Sequence, residues 1–99
     1  MPSGYVAILT VELHFPEAGS LKAKRQFVRS AKDNLRNRVG ASVAEVDHHD
    51  LWQRSTLTVA CAARSAHDAD ELAATAERWL ASGDWVMTRC DRLLVSPED

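Results

Sequence analysis

The hydrophobic pattern of this chain switches between the periods of strands and helices, and the order of these switches most constrains the fold. Residues 5–15, YVAILTVELHF, alternate apolar and polar positions in the way a half-buried strand does. Residues 20–39 instead place their apolar side chains in a narrow arc at the helical period of about 3.6 residues. Ser20 suits the N-cap of this helix, and Gly40 suits the position just past its end.

Two strands, a second helix and a last strand follow. We predict strands at 41–47, at 51–63 and at 84–96, and a helix at 65–83 that opens on Ser65. With right-handed crossovers, the order β-α-β-β-α-β predicts an α+β, ferredoxin-like fold, with an antiparallel sheet in strand order 4-1-3-2 and both helices on one face. The 99 residues suffice for one domain and not for two, so we expect a single domain over 1–99.

The two cysteines and the opening residues indicate the compartment. Cys61 and Cys90 form no CxxC pair, and the predicted sheet places a strand between them, so we expect reduced thiols and no disulfide. Residues 1–13 lack the cationic start of a secretory signal, and no apolar run reaches the length of a membrane span. We therefore expect a cytoplasmic protein.

Charge is spread unevenly along the chain. The net charge is −2, yet residues 20–39 hold seven Lys or Arg residues and one acid, so the other 79 residues carry −8. At about 100° per residue, five of the cations fall on one side of the predicted helix. Like charges at such spacings repel and lower helix stability, so selection for the fold alone does not explain them. This basic ridge consists of Lys22, Arg25, Arg29, Lys32 and Arg36.

We predict that the basic ridge binds phosphates or an acidic partner, with Lys24 also in the contact set and Arg38 beside it. Lys24 falls near the apolar arc. Either its stem passes the core to reach water, or its ammonium meets a carboxylate such as Glu45. A competing interpretation treats the ridge as a solvated face that the acidic second helix partly neutralises.

The sheet face without helices is a second candidate surface, because an antiparallel sheet covered on one side exposes the other. Val6 and Ile8, with Trp52 at the start of the third strand, would leave apolar area exposed in a monomer, so we predict an oligomer, namely a homodimer, formed through this face or through an edge strand. We expect Trp52 to be structural and to pack on a neighbouring strand or on the partner subunit. RNA-binding sheets of this topology stack bases on central aromatic residues, and the aromatic pair is missing here.

Residues 45–50, EVDHHD, offer several potential metal ligands. If the strand continues through His49, the two imidazoles point to opposite faces, and no second ligand cluster completes a set. The chain also lacks a nucleophile elbow, a phosphate-cradling glycine loop and an HExxH motif. We therefore expect no enzyme activity, no metal and no cofactor. A small enzyme or metal protein centred on 45–54 is the third interpretation.

Two segments carry a resemblance to a known family. SLKAKR at 20–25, followed by SVAEVDHHDLWQRSTLTVA at 42–60, resembles the YlxP-like family of small bacterial proteins, whose function is unknown. The resemblance implies a single ferredoxin-like domain and, because genes of the family commonly lie near those for initiation factor two and a ribosome-binding factor, a role near the ribosome. One departure is Ala23, where the family usually has an acid, which makes this helix start more cationic. The matching positions are Ser20, Leu21, Lys22, Lys24, Arg25, Glu45, Asp47, Asp50, Leu51, Trp52, Gln53 and Arg54.

Taken together, these features predict a non-enzymatic cytoplasmic protein that binds RNA or a ribosome-associated partner through its first helix. The alternative is a protein-interaction module that dimerises through the open sheet face and docks an acidic protein surface.

Overall fold

The structure, a computed structural model, describes residues 3–98 and contains four strands and two helices. The strands form one antiparallel sheet in the order β2-β3-β1-β4. The helices contact each other and pack on the same face of this sheet. The predicted ferredoxin-like fold and strand order are therefore confirmed. The elements are β1 (Tyr5–His14), α1 (Leu21–Val39), β2 (Ser42–Asp47), β3 (Arg54–Ala63), α2 (Ala66–Ala81) and β4 (Val86–Val95).

Both helices begin at the predicted N-caps. Ser20 accepts a hydrogen bond from the backbone N–H of Ala23, and Ser65 accepts one from Asp68, each at 3.1 Å. The first helix ends at Gly40, which takes a left-handed φ of 65° and donates its N–H to the carbonyl of Arg36. Glycine adopts this conformation without a steric penalty, so it ends α1 at a defined residue.

The core lies between the sheet and the two helices. Alternate residues of β1 and β3 point into it, as their period of two requires. Each helix contributes a stripe of buried residues spaced three or four apart. The α1 stripe contains one charged residue among apolar ones, and its members are Lys24, Val28, Ala31, Leu35 and Val39.

An aromatic cluster closes one end of the core. Phe15 stacks on Phe27 with their ring centroids 5.6 Å apart, and Trp85 lies edge-on to Phe15 at 6.0 Å and to Trp79 at 5.6 Å. The indole Nε1 of Trp85 donates to the carbonyl of Leu80 at 2.7 Å. A Cβ at Gly83 would stand 2.4 Å from the Trp85 ring, so this position requires glycine.

The third strand begins at Arg54, and not at Leu51 as the sequence predicts. Residues 48–53 instead form a turn, called here the β2–β3 turn, in which the N–H of Leu51 donates to the carbonyl of His48. Trp52 lies in this turn with 51% of its surface exposed. The expectation that Trp52 opens the third strand is therefore wrong, while its packing on a partner subunit stays a prediction. Lys24 of α1 donates hydrogen bonds to two carbonyls of this turn, those of His48 and His49.

Cys61 and Cys90 are free thiols on β3 and β4, with β1 between them, as predicted. No helix in the described part of the chain is both long and apolar enough to cross a membrane.

Candidate functional site

Lys24 occupies the core-facing stripe of α1 and has no exposed surface. Its ammonium makes three short contacts: 2.8 Å to Glu45 Oε2, 3.0 Å to the carbonyl of His48 and 3.1 Å to the carbonyl of His49. Three acceptors match the three N–H donors of a lysine, so the buried charge is both paired and fully hydrogen-bonded. The sequence alternative that joins Lys24 to Glu45 agrees with this geometry.

The assignment of Lys24 to the anion-binding set is a correction. A phosphate cannot reach an ammonium that is fully buried and already has three acceptors. Lys24 instead connects the two segments that carry the family resemblance, since α1 supplies the lysine while β2 and the β2–β3 turn supply its acceptors. SLKAKR and VAEVDHHD therefore form the two halves of one buried contact.

Glu45 receives two hydrogen bonds at one oxygen, from Lys24 and from the hydroxyl of Ser55. Burial acts to raise the pKa of Glu45, but these two hydrogen bonds and the charge of Lys24 outweigh it and hold the pKa below its usual value. The carboxylate is therefore ionised at neutral pH. In the β2–β3 turn, the carbonyl of His48 accepts a hydrogen bond from Lys24. His48 has a left-handed φ of 61°, which is unfavourable for a non-glycine residue.

The basic ridge lies on the solvent side of α1. Lys22, Arg25, Arg29 and Arg36 are exposed, and Lys32 is half-buried. Within residues 3–98, Arg36 is the one member of the ridge with an acid within 4.0 Å, at 3.8 Å from Asp33. The other four members make no ion pair in that part of the chain. Their charge remains available to a ligand.

A shallow groove of about 230 Å³ separates the ridge from β2, which is an edge strand. Arg25, Arg29 and Lys32 line it from the helix, and Glu45 lines it from the strand. Because Glu45 already binds Lys24, its charge is compensated and does not cancel the three cations above it. The groove is therefore a concave surface with net positive charge, which suits an anionic ligand.

No acid of α2 forms an ion pair with the ridge in the described part of the chain. Asp70 and Glu77 both pair with Arg92 of β4, at 2.7 Å and 3.0 Å. In the described residues no ion pair joins the ridge to α2, so the competing interpretation of a ridge neutralised by α2 finds no contact to support it. Arg38, at the end of α1, instead places its guanidinium 6.0 Å from the ring centre of Trp79.

The open sheet face has one apolar end. Val6 and Ile8 lie there half-buried, and Leu93 of β4, directly opposite Ile8 in the register, is 59% exposed. Sequence reasoning missed Leu93, although its alternation with Asp91 and Val95 places all three on one face of the last strand. The predicted set of Val6, Ile8 and Trp52 is not one surface.

Trp52 lies at the opposite end of the sheet, beyond the pair formed by His14 and Arg54. His14 follows Ile8 by six residues, or about 20 Å along a strand, so a patch centred on Ile8 does not extend to Trp52. Trp52 therefore lies apart from the Val6 and Ile8 patch, and its place in the predicted interface stays a prediction. Trp52 instead lines a second pocket, of about 210 Å³, and the residues around this Trp52 pocket are His14, Leu51, Trp52, Gln53 and Arg54.

The two cysteine thiols offer little reactivity. Burial and the neighbouring Glu77 carboxylate raise the pKa of Cys90 to about 11, and burial raises the pKa of Cys61, so both thiols are protonated at neutral pH. Within residues 3–98, no three His, Cys, Asp or Glu side chains converge into a group that could hold a metal ion.

Comparison with known proteins places these features in context. The profile of a family described as "Protein of unknown function (DUF503)" matches residues 6–91. The "Uncharacterized protein YlxP" of Bacillus subtilis (strain 168) is 33% identical over 49 residues, which cover 50% of this chain and 53% of that protein. The match thus spans about half the length of this curated relative, and it confirms the resemblance to the YlxP-like family.

The fold also has a solved counterpart. A structure from Nitrosomonas europaea, provisionally named an antibiotic biosynthesis monooxygenase, superposes with a TM-score of 0.50 and covers 97% of this chain and 91% of its own. Only 18% of the residues are identical, so the likeness concerns the fold alone.

Proposed function

This chain belongs to the DUF503 family of proteins of unknown function, and we propose that it binds the phosphate backbone of RNA through α1, without catalysis. One observation carries the proposal. Lys22, Arg25, Arg29 and Lys32 point to solvent along one side of α1, and no acid within residues 3–98 lies within 4.0 Å of them. Four unpaired cations lower the stability of a helix, and a polyanionic ligand would compensate their repulsion.

The expected binding is positional and does not read sequence. Cations that contact phosphate oxygens set the orientation of a nucleic acid and carry no base information. The rest of the chain has a net charge of −8, which repels RNA away from the ridge and keeps the affinity modest. A ribosome-associated RNA fits this chemistry and the role that the YlxP-like resemblance implies.

The absence of catalysis is part of the same proposal. Protonated thiols are poor nucleophiles, and Glu45, the acid that lines the groove beside the ridge, is engaged by Lys24 and Ser55. A carboxylate that already accepts two hydrogen bonds and has a lowered pKa is poorly suited to act as a general base at neutral pH.

A salt titration of RNA binding tests the proposal. Each phosphate contact contributes about −0.7 to the log–log slope for single strands and about −0.9 for duplexes. With about three contacts at once, we expect a slope of about −2 to −3 for the parent protein. The variant Arg25→Glu, Arg29→Glu should bind no RNA, because both charges face the groove.

A charge-matched control separates the ridge from net charge. The variant Arg64→Glu, Arg78→Glu changes the net charge by the same amount at exposed positions outside α1. It should retain most of the affinity and the same salt slope. Equal losses in the two variants, or no RNA binding by the parent at low salt, would exclude the ridge as an RNA site.

A second candidate function rests on the apolar end of the open sheet face. Leu93, with Ile8 opposite and Val6 beside it, exposes an apolar surface that a second copy of the chain would cover. A protein-interaction module that dimerises there could use the ridge to dock an acidic protein surface. Sedimentation at micromolar concentration should then show a dimer for the parent and a monomer for Leu93→Lys. A monomeric parent would exclude this candidate.

A further inference from the structure

We propose that the Trp52 pocket takes an unpaired base of the same RNA strand whose phosphates contact the basic ridge. This inference rests on the proposed function and adds a ligand class to it, namely single-stranded RNA with at least one unstacked base. The pocket lies at the β2–β3 turn, outside the residues assigned to phosphate contact.

The side chains of the turn indicate what the pocket can hold. Trp52 is 51% exposed and Leu51 is 43% exposed, although both are large and apolar. The two other tryptophans of the chain, Trp79 and Trp85, are packed into the aromatic cluster. An exposed indole that the core does not use offers a flat π-surface, and every nucleobase has a complementary face that stacks on it.

Polar groups surround this apolar wall. Arg54 makes no ion pair within residues 3–98, and Gln53 and His14 line the same pocket. A guanidinium, an amide and an imidazole together supply both donors and acceptors, which the edge of a base needs. Small-ligand pockets commonly combine an apolar wall with a few such groups.

The charge of the turn favours a base over a phosphate. Asp47 and Asp50 flank the two histidines of the turn and lie within 4.0 Å of them. Their carboxylates are highly exposed and would repel a phosphate placed beside them. A neutral base avoids that repulsion, and its exocyclic amino groups can donate to carboxylates.

The pocket is held in place from both sides. Lys24 binds the carbonyls of His48 and His49, and the N–H of Phe15 donates to the carbonyl of Gln53 at 2.9 Å. These bonds fix the backbone at both ends of the turn. Binding to a preorganised wall loses less conformational entropy than binding to a flexible loop.

Lys24 links the first turn of α1 to the pocket. It lies between Lys22 and Arg25 in the chain, and its ammonium is 3.1 Å from the His49 carbonyl. The same ammonium is 3.5 Å from the carbonyl of Arg54, which lines the pocket. The helix turn that begins the ridge and the wall of the pocket are therefore joined through one side chain, and a single strand can engage both.

Oligonucleotides with and without bases test this inference. A short single-stranded RNA and an abasic strand of equal length carry the same phosphates but differ in what can stack. The parent should bind the base-bearing strand about 5- to 150-fold more tightly than the abasic strand, which corresponds to one stacked base. Trp52→Ala should remove this difference and leave the abasic affinity unchanged. Trp52→Phe, which keeps an aromatic ring, should retain most of the difference.

The possible outcomes separate the pocket from the ridge. A parent that binds the two strands equally, or a Trp52→Ala variant that weakens both equally, overturns the pocket and leaves the ridge proposal standing. A parent that binds neither strand at low salt overturns both. If sedimentation without RNA shows a dimeric parent and a monomeric Trp52→Ala variant, a second copy of the chain occupies the pocket and the inference is wrong. The comparison of strands on the parent needs no variant, so it decides even if Trp52→Ala misfolds.

Discussion

The two helices of this protein are alike in design and opposite in their use of charge. Each begins at a serine N-cap and buries one stripe against the same sheet. The acids of α2 that reach β4 are paired, because Asp70 and Glu77 share the guanidinium of Arg92. The cations of α1 are divided: Lys24 is buried and paired, whereas Lys22 and Arg25 beside it have no acid partner within residues 3–98.

Charges on these helices therefore have two separate roles. A charge with a partner in the fold stabilises the fold, and its removal should be measured in unfolding experiments. A charge without such a partner contributes nothing or a small repulsion, and its removal should be measured in binding experiments. The adjacent lysines Lys22 and Lys24 provide the sharpest contrast, since they share a helix turn and a residue type.

The largest effect should follow the loss of Lys24. Lys24→Met keeps the side-chain volume but leaves the Glu45 carboxylate and two turn carbonyls without their donor. Breaking a buried pair from one side typically costs 3–5 kcal/mol, and we expect about 3 kcal/mol because Glu45 retains some solvent contact. Urea unfolding measures the loss.

Lys22→Met is the matched control and should change the unfolding free energy by less than about 0.5 kcal/mol. Equal losses at the two positions would contradict the division between paired and unpaired charges. The double variant Lys24→Met, Glu45→Met should be more stable than Lys24→Met alone, since it removes the unpaired carboxylate.

A smaller effect should appear as pH falls. The pKa of Glu45 is lower in the folded protein than in the unfolded chain, so its ionisation stabilises the fold above the unfolded pKa, which is about 4.3. That stabilisation is lost as the pH falls through the folded pKa. Melts between pH 7 and pH 3 should therefore show a steeper loss for the parent than for Glu45→Gln, which cannot titrate. Parallel curves would show that Glu45 does not contribute to acid sensitivity.

Arg92 tests the paired side of the comparison. Its side chain is 30% exposed and bonds Asp70 and Glu77 of α2, so Arg92→Gln should lower the unfolding free energy by about 1 kcal/mol, and less at high salt. Arg89→Gln is the control, because Arg89 is 64% exposed and, among residues 3–98, pairs only with Asp91 on its own strand. Its effect should stay within about 0.5 kcal/mol. A larger loss of unfolding free energy for Arg89→Gln than for Arg92→Gln would refute the assignment of Arg92 as the cation whose pairing stabilises the fold.

The smallest effect should come from the ridge. Arg25→Glu, Arg29→Glu relieves like-charge repulsion along α1, so its unfolding free energy should equal that of the parent or exceed it by a few tenths of a kcal/mol, with an equal or slightly higher melting temperature. Thermal unfolding beside the RNA titration measures both properties on one sample. If this variant unfolds instead, the ridge cations are paired within the fold and the contrast between the helices disappears.

The fold was predictable because its signals are local. Alternation in β1, the apolar arc of α1, the two serine caps and Gly40 each act within a few residues. The order of these elements then leaves few topologies, and the sheet order follows from handedness rules. The candidate site was predictable only in part. The exposed ridge follows from helical periodicity, but the contacts of Lys24 and the exposure of Trp52 depend on segments that are distant in sequence.

By itself, the sequence determined the strand and helix order, the sheet topology and the concentration of positive charge on one side of the first helix. Tertiary structure alone decided which of those charges are free. Lys24 and Lys22 have the same side chain, and the difference between them arises because β2 brings Glu45 and the turn carbonyls to one lysine and not to the other. In the same way, Arg92 pairs with Asp70 and Glu77 because α2 packs beside β4. The turn anchored by Lys24 leaves Trp52 exposed to solvent. Periodicity assigns a residue to a face, but burial and pairing depend on what the rest of the chain places against that face.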